Sequence, residues 1–222
     1  DGFWTHGSIL GKIIAPFEFL NMRRIVRNSK HTIYVTKDFL QKRYPTEGIS
    51  TNCSNVEILE NSQQVFDNRI YKIDRMDKEE KYKIGMIGAL DGKFKGFDIA
   101  IKAMGLVNKI QDNVELHIVG PGDPKEWRIL AEKEGIENRV IFHGTLPNGQ
   151  PVFDWLDSVD IYIQPSRTEG LPRSIIEAMS RGCPVIGSNV GGIPELLDED
   201  CIFDNFDHEE LANMILEHGL DK

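Results

Sequence analysis

From Tyr82 onward, short apolar runs rich in β-formers alternate with helical patterns, and few folds accept that order. The runs cover 83–88, 114–119, 139–142, 160–163 and 184–186. Between them lie helical candidates at 96–108, 124–135, 151–158, 172–181 and 194–197, several opening on proline, whose missing N–H costs little at the first helical position. Strands separated by helices pair in parallel through crossovers, so the expectation is an α/β fold with a doubly wound, Rossmann-like parallel sheet. Such a sheet binds ligands beyond the carboxyl ends of its strands, where the strand order reverses. The loops at that edge, 88–96, 120–123, 143–149, 164–172 and 187–194, hold nearly all the glycines of this half. Glycine lets a ligand come close to the backbone.

Residues 1–77 read differently: a long amphipathic helix over 8–28, a strand at 32–36, a short helix over 38–44, then polar segments with little periodicity. The first helix carries Ile9, Leu10, Ile13, Ile14, Phe17, Leu20, Ile25 and Val26, more apolar surface than the next elements can cover. It therefore reads as part of a neighbouring domain whose packing partner lies elsewhere. Arg23, Arg24, Arg27 and Lys30 are read as the solvated basic end of a core helix in preference to a membrane-surface or acidic-partner element. The expected division is 1–77 as a domain remnant with linker and 78–222 as the sheet domain, with a final helix from 207 cut short. The opening Asp1-Gly2-Phe3-Trp4 lacks both an initiator methionine and a signal layout, so an upstream portion is expected to be absent.

Composition excludes several partners. The net charge of −9 over 222 residues disfavours broad association with nucleic acid, which needs a basic surface. No apolar run approaches the roughly 18 residues that span a bilayer. Cys53, Cys183 and Cys201 have neither C-x-x-C spacing nor an even count, which supports no disulfide framework, no zinc site and a reducing cytoplasm. The six histidines form no ligand pattern, and no metal is expected. His143, at a strand end, is either a nucleotide contact or a structural histidine. A Gly-x-Ser-x-Gly elbow and a Gly-Lys-Ser/Thr phosphate loop are both missing, which argues against serine hydrolases and P-loop enzymes.

The chemistry concentrates in 167–179. Pro172 marks a helix start, so Glu169 lies on the loop before it and Glu177 inside the helix, two carboxylates at different depths of one crevice. Carboxylates accept from pairs of adjacent hydroxyls, and the free amides of a helix start suit a diphosphate. The bland reading is a core face of Ile175, Ile176 and Met179 opposite a solvated Glu177, with Arg173 and Arg181 as its i,i±4 partners.

Ordered motifs tip that balance. Gly88 with Lys95-Gly96, Gly120-Pro121-Gly122, Phe142-His143-Gly144, Pro165–Gly170, Glu177-Ala178-Met179 and Gly191-Gly192-Ile193-Pro194-Glu195 together resemble the retaining glycosyltransferases of GT-B architecture (glycosyl transferases group 1), whose hallmark is Glu, seven residues, Glu. The resemblance spans about 82–205, and Tyr34-Val35-Thr36 with its following helix resembles the end of that family's N-terminal acceptor domain. It implies that Glu169 touches hydroxyls of the transferred sugar, Glu177 the ribose, and Lys95 the diphosphate. Gly170, Leu171 and Pro172 would form the turn against sugar and phosphates, beside Arg167. Gly144, Thr145 and Leu146 would line the base, and Gly120 and Gly122 the nucleotide pocket. It further implies a UDP- or GDP-sugar donor, no cofactor, a glycan or lipid-linked acceptor, and peripheral contact with the inner face of a membrane. Catalysis in this architecture falls between two domains, so residues 1–222 alone should bind nucleotide and transfer little sugar.

One position departs from the pattern. The family commonly places arginine directly after the first glycine, where this chain has Ala89, leaving Lys93 or Arg173 as the second cation for the diphosphate. Two other functions remain open on these residues: a nucleotide-sugar epimerase of similar architecture, and a non-catalytic nucleotide-binding or scaffold module.

Overall fold

Every residue of Val114–Val119 is buried, the pattern of a strand covered on both faces of a parallel sheet. In the computed structural model, which describes residues 9–58, 62–74, 81–204 and 206–219, this strand is the fourth in chain order. The elements run α1 (Ile9–Arg27), β1 (His31–Tyr34), α2 (Phe39–Arg43), β2 (Ile49–Asn52), α3 (Gln63–Asp74), β3 (Tyr82–Ile87), α4 (Phe97–Ile110), β4 (Val114–Val119) and α5 (Lys125–Lys133). There follow β5 (Val140–Phe142), α6 (Gln150–Ser158), β6 (Ile161–Gln164), α7 (Arg173–Ser180), β7 (Val185–Ser188), β8 (Ile202–Phe203) and α8 (His208–Gly219). Strands β3 to β8 form one parallel sheet in the order β5-β4-β3-β6-β7-β8. The expected doubly wound α/β sheet is therefore present.

Side-chain alternation along β6 divides the core. Ile161 and Ile163 join Phe97, Met104, Trp127 and Ile215 beneath α4, α5 and α8, while Tyr162 joins Phe153, Leu156 and Ile175 beneath α6 and α7. Trp127 fills its side against Phe97, with ring centroids 5.4 Å apart, and satisfies its indole N–H on the Leu90 carbonyl at 2.9 Å.

Three sequence expectations are corrected. The 194–197 helix is only a 3-10 turn, Ile193–Glu195, and the short strand β8 was not foreseen. The polar stretch after residue 44 contains two elements. Strand β2 pairs in parallel with β1, and α3 lies against the sheet domain. Its weak hydrophobic pattern has a physical cause: α3 docks through cations. Arg69, only 4% exposed, donates to the carbonyls of Leu156 (2.8 Å), Val159 (2.6 Å) and Arg181 (3.3 Å), and Lys72 reaches the Ser158 carbonyl and Asp160. Carbonyls at a helix end lack intrahelical partners, so these two side chains cap α6. The expected domain boundary at 77/78 falls in 75–80, outside the described residues, as do positions 220–222 of the expected final segment.

Helix α1 leaves Ile13 (58%), Phe17 (70%), Leu20 (60%) and Ile25 (55%) exposed, matching the surplus apolar surface read from its sequence. At its basic end, Arg27 pairs with Glu47 at 2.6 Å, and Arg23 lies over the Phe19 ring. Among the described residues no helix is long and apolar enough to cross a membrane. The first unit touches the sheet domain a second time at Glu195, whose carboxylate accepts the backbone N–H groups of Lys37 (2.5 Å), Asp38 (3.1 Å) and Phe39 (2.6 Å). Burial raises the proton affinity of Glu195, but these three amides outweigh it and hold the carboxyl below the ordinary glutamate range.

Candidate functional site

Strand order reverses between β3 and β6, and there, beyond the carboxyl ends of the strands, a crevice of about 760 Å³ opens. That volume suits a ligand of nucleotide-sugar size. Its lining gathers Gly88 and Lys95 from the loop after β3, Gly120 after β4, and Thr145 and Leu146 after β5. The loop after β6 adds Glu169, Leu171 and Pro172, and α7 adds Arg173 and Glu177. The structure thus brings most of the expected site residues onto one surface.

Four expected residues are not part of that lining. Gly144 accepts the Gly120 N–H at 2.8 Å, Gly122 packs against Leu90, and the Gly170 carbonyl accepts the Gly192 N–H at 2.7 Å. Arg167 has partners of its own: its guanidinium forms a two-pronged pair with Asp98 at 2.6 and 2.7 Å and donates to the Lys93 carbonyl at 2.8 Å. Burial raises the Asp98 proton affinity, and the Arg167 bonds overcome it, leaving the carboxyl below its usual range. A fork so matched to a neighbouring carboxylate anchors the 164–172 loop to α4. Two glycines make the close loop approach feasible. A Cβ on Gly120, at φ 154°, would stand 1.8 Å from the Gly88 carbonyl oxygen, and one on Gly191, at φ 61°, would stand 2.2 Å from that of Glu169.

Glu169 is held from several directions. Its Oε1 accepts from Lys95 Nζ (2.5 Å), Ser166 Oγ (2.8 Å) and Gln164 Nε2 (3.1 Å). Lys95, the expected diphosphate contact, is therefore paired with the expected sugar contact, and both side chains are mostly covered, at 19% and 11% exposure. Glu177 is more isolated. Burial pushes its carboxyl above the usual range, and the positive field of Arg173 opposes that only in part. The bland alternative, a salt-bridged face on α7, has no ion pair to Glu177 among the described residues: Arg181 turns away to Asp157, at 2.8 Å from Nε to Oδ1. Nor does Met179 join the core. It is 44% exposed, and Ile175 and Ala178, one turn apart, take the buried stripe.

The question raised by Ala89 narrows to one side chain. Lys93 lies 3.9 Å from Glu126 and outside the lining, whereas Arg173 faces the crevice with no hydrogen bond or ion pair among the described residues. Pro172 caps α7 without a side-chain hydrogen bond, so the first amides of this helix remain available beside Arg173. His143 does not line the crevice. Its Nε2 lies 2.9 Å from His117 Nδ1, the rings stacked, and burial pushes both imidazoles below their usual range. No group of three or more His, Cys, Asp or Glu able to hold a metal occurs among the described residues.

Several lining residues had no sequence signal. Asn55, Val56 and Glu57 come from the stretch between β2 and α3, and Val152 and Phe153 from the start of α6. The latter directly follow the expected 143–149 loop, which itself adds Asn148 and Gly149. The former had no such neighbour, because nothing local marks a polar segment as crossing a distant strand end.

The fold is that of GT-B glycosyltransferase structures. The solved structure of Anabaena HepE in complex with UDP and glucose superposes with a TM-score of 0.72 at 22% identity, covering 94% of this chain and 60% of that one. WaaG, a glycosyltransferase involved in lipopolysaccharide biosynthesis, superposes with a TM-score of 0.74 at 22% identity, covering 96% and 60%. The family model "Glycosyl transferases group 1" matches residues 81–218, and Protein CapJ of Staphylococcus aureus is 36% identical over 97% of this chain and 53% of its own length. The chain belongs to the glycosyl transferases group 1 family. It spans about half the length of that curated relative.

Proposed function

We propose that the crevice binds the nucleotide-sugar donor of a retaining, metal-independent glycosyltransferase, and that this chain is the donor-binding part of the enzyme. One observation carries the reading: Glu169 and Glu177 line a single crevice around the start of α7, in company with the cations Lys95 and Arg173. In this scheme Glu169 accepts hydroxyls of the sugar and Glu177 those of the ribose. The Gly170–Pro172 turn passes the phosphates, and the backbone of 144–146 faces the base. During transfer the bond from the anomeric carbon to the diphosphate oxygen breaks, the acceptor oxygen bonds that carbon with retained configuration, and the proton of the acceptor hydroxyl leaves with the diphosphate. Lys95, Arg173 and the first amides of α7 meet the negative charge that develops on the departing diphosphate.

Support for the nucleotide comes from HepE, whose structure carries UDP and glucose, and support for a glycan or lipid-linked acceptor from WaaG and its part in lipopolysaccharide biosynthesis. Family membership favours transfer over epimerisation. The acceptor side belongs to the partner domain, and the proposed setting is cytoplasmic, with peripheral contact at the inner face of a membrane. Calorimetric titration with UDP and GDP, followed by soaking of crystals, tests the reading. A nucleotide with its ribose at Glu177 is expected. Silence toward both nucleotides, or a donor bound elsewhere with both carboxylates in bulk solvent, overturns it.

A further inference from the structure

Gln164 is completely buried at the end of β6, where an apolar side chain would fill the same volume with no amide to satisfy. All its capacity for hydrogen bonding is used. Its Oε1 accepts from the hydroxyls of Tyr162 (2.7 Å) and Ser174 (3.0 Å), and its Nε2 donates to Ser166 Oγ (2.7 Å) and Glu169 Oε1 (3.1 Å). The direction of each bond follows from the ends of the chain. Tyr162 accepts the Ile87 backbone N–H at 3.2 Å and so donates onward to Gln164. Ser166 accepts from Gln164 and donates onward to Glu169 Oε1 at 2.8 Å. Turning the amide over would set its oxygen against a carboxylate, so the charge of Glu169 fixes the orientation of Gln164.

The network draws β3, β6, the first turn of α7 and the 164–172 loop toward one oxygen of Glu169, and Lys95 completes that oxygen's shell. Glu169 Oε2 has no protein hydrogen bond among the described residues, and the residue lines the crevice that Gln164 itself does not reach. We infer that Gln164 is a positioning residue for sugar recognition, committing one oxygen of Glu169 to the protein so that the other is presented to hydroxyls of the donor sugar. The inference rests on the donor reading above. A network with every member satisfied is rigid, and a rigid acceptor loses less entropy on binding.

The experiment separates the sugar from the nucleotide. Wild type, Gln164→Met, Glu169→Gln and the double variant are titrated with UDP and with UDP-glucose, and in parallel with GDP and GDP-mannose. Wild type blind to all four probes overturns the donor reading itself. With wild-type binding established, Gln164→Met is expected to weaken the nucleotide sugar about tenfold while leaving the free nucleoside diphosphate within about twofold. The double variant should bind no more weakly than Glu169→Gln alone, because Gln164 acts through that carboxylate. Equal losses on nucleotide and nucleotide sugar, or additive losses in the double variant, would show a merely structural glutamine. Should Gln164→Met not fold, as judged by its melting curve, Tyr162→Phe removes the hydroxyl feeding the same amide. It should show the same selective loss at about threefold, and a loss shared equally by both probes would overturn the inference.

Discussion

Lys95 Nζ stands 2.5 Å from Glu169 Oε1, a mostly covered ion pair that joins the loop after β3 to the loop after β6. The pair spans the switch point of the sheet, so a ligand entering there meets its cation and its anion already fixed relative to each other. Holding both in place before binding reduces the ordering cost that binding would otherwise carry.

Lys95→Ala removes the charge assigned to the diphosphate and strips one donor from Glu169. UDP affinity measured by calorimetry should fall about 10- to 100-fold, the range for a lost hydrogen bond to a charged group. An unchanged dissociation constant would place the phosphates elsewhere.

Under the proposed donor reading, Arg173 and Lys93 are the candidates for a second diphosphate cation in a chain with Ala89 where the resembled family commonly has arginine, and the geometry separates them. Arg173→Ala should weaken UDP or GDP about three- to tenfold. Lys93→Ala, whose ammonium faces Glu126, should leave affinity within about twofold. The reverse pattern would reassign the second cation.

Glu195 ties the first unit to the sheet domain through three backbone amides. Glu195→Gln should lower stability by about 1 kcal/mol at neutral pH, seen as a melting shift of about 2–4 °C. The sign of the pH dependence follows from its lowered proton affinity. The contribution is fully present above the ordinary glutamate range and fades as pH falls through that range toward the still lower value in the folded protein. Melting curves of wild type and variant should therefore converge on acidification. A gap that stays constant down to strongly acidic pH would assign the effect to packing.

Cys183 is 4% exposed, and burial pushes its thiol up to about 11, whereas Cys53 is exposed. Thiolate is the reactive form, so alkylation at pH 8 should label Cys53 quickly and Cys183 only on unfolding. Mass spectrometry of timed samples reads this directly, and rapid labelling of Cys183 in folded protein would contradict its burial.

The parts legible in the sequence were those written in local periodicity. Apolar runs alternating with helical patterns announced the strands of the sheet, glycines marked the loops beyond their carboxyl ends, and Pro172 marked the start of α7. Short and weakly apolar elements escaped or were misjudged. Strand β8 has two residues, the helix expected at 194–197 is a three-residue turn, and α3 docks through Arg69 and Lys72 with little hydrophobic stripe to betray it.

The chain order of apolar and glycine-rich segments was enough to determine a parallel α/β sheet and the edge on which its crevice opens, because those follow from short apolar runs alternating with a 3.6-residue period and from crossover geometry. Tertiary structure alone decided the partners of the charges. Glu195 meets an amide 158 positions away, Arg181 prefers Asp157 across 24 positions to Glu177 within its own helix, and Arg167 is spent on Asp98. A long charged side chain can reach several partners along the sequence, and which one it takes depends on the segments that folding brings alongside it, a relation no local pattern contains.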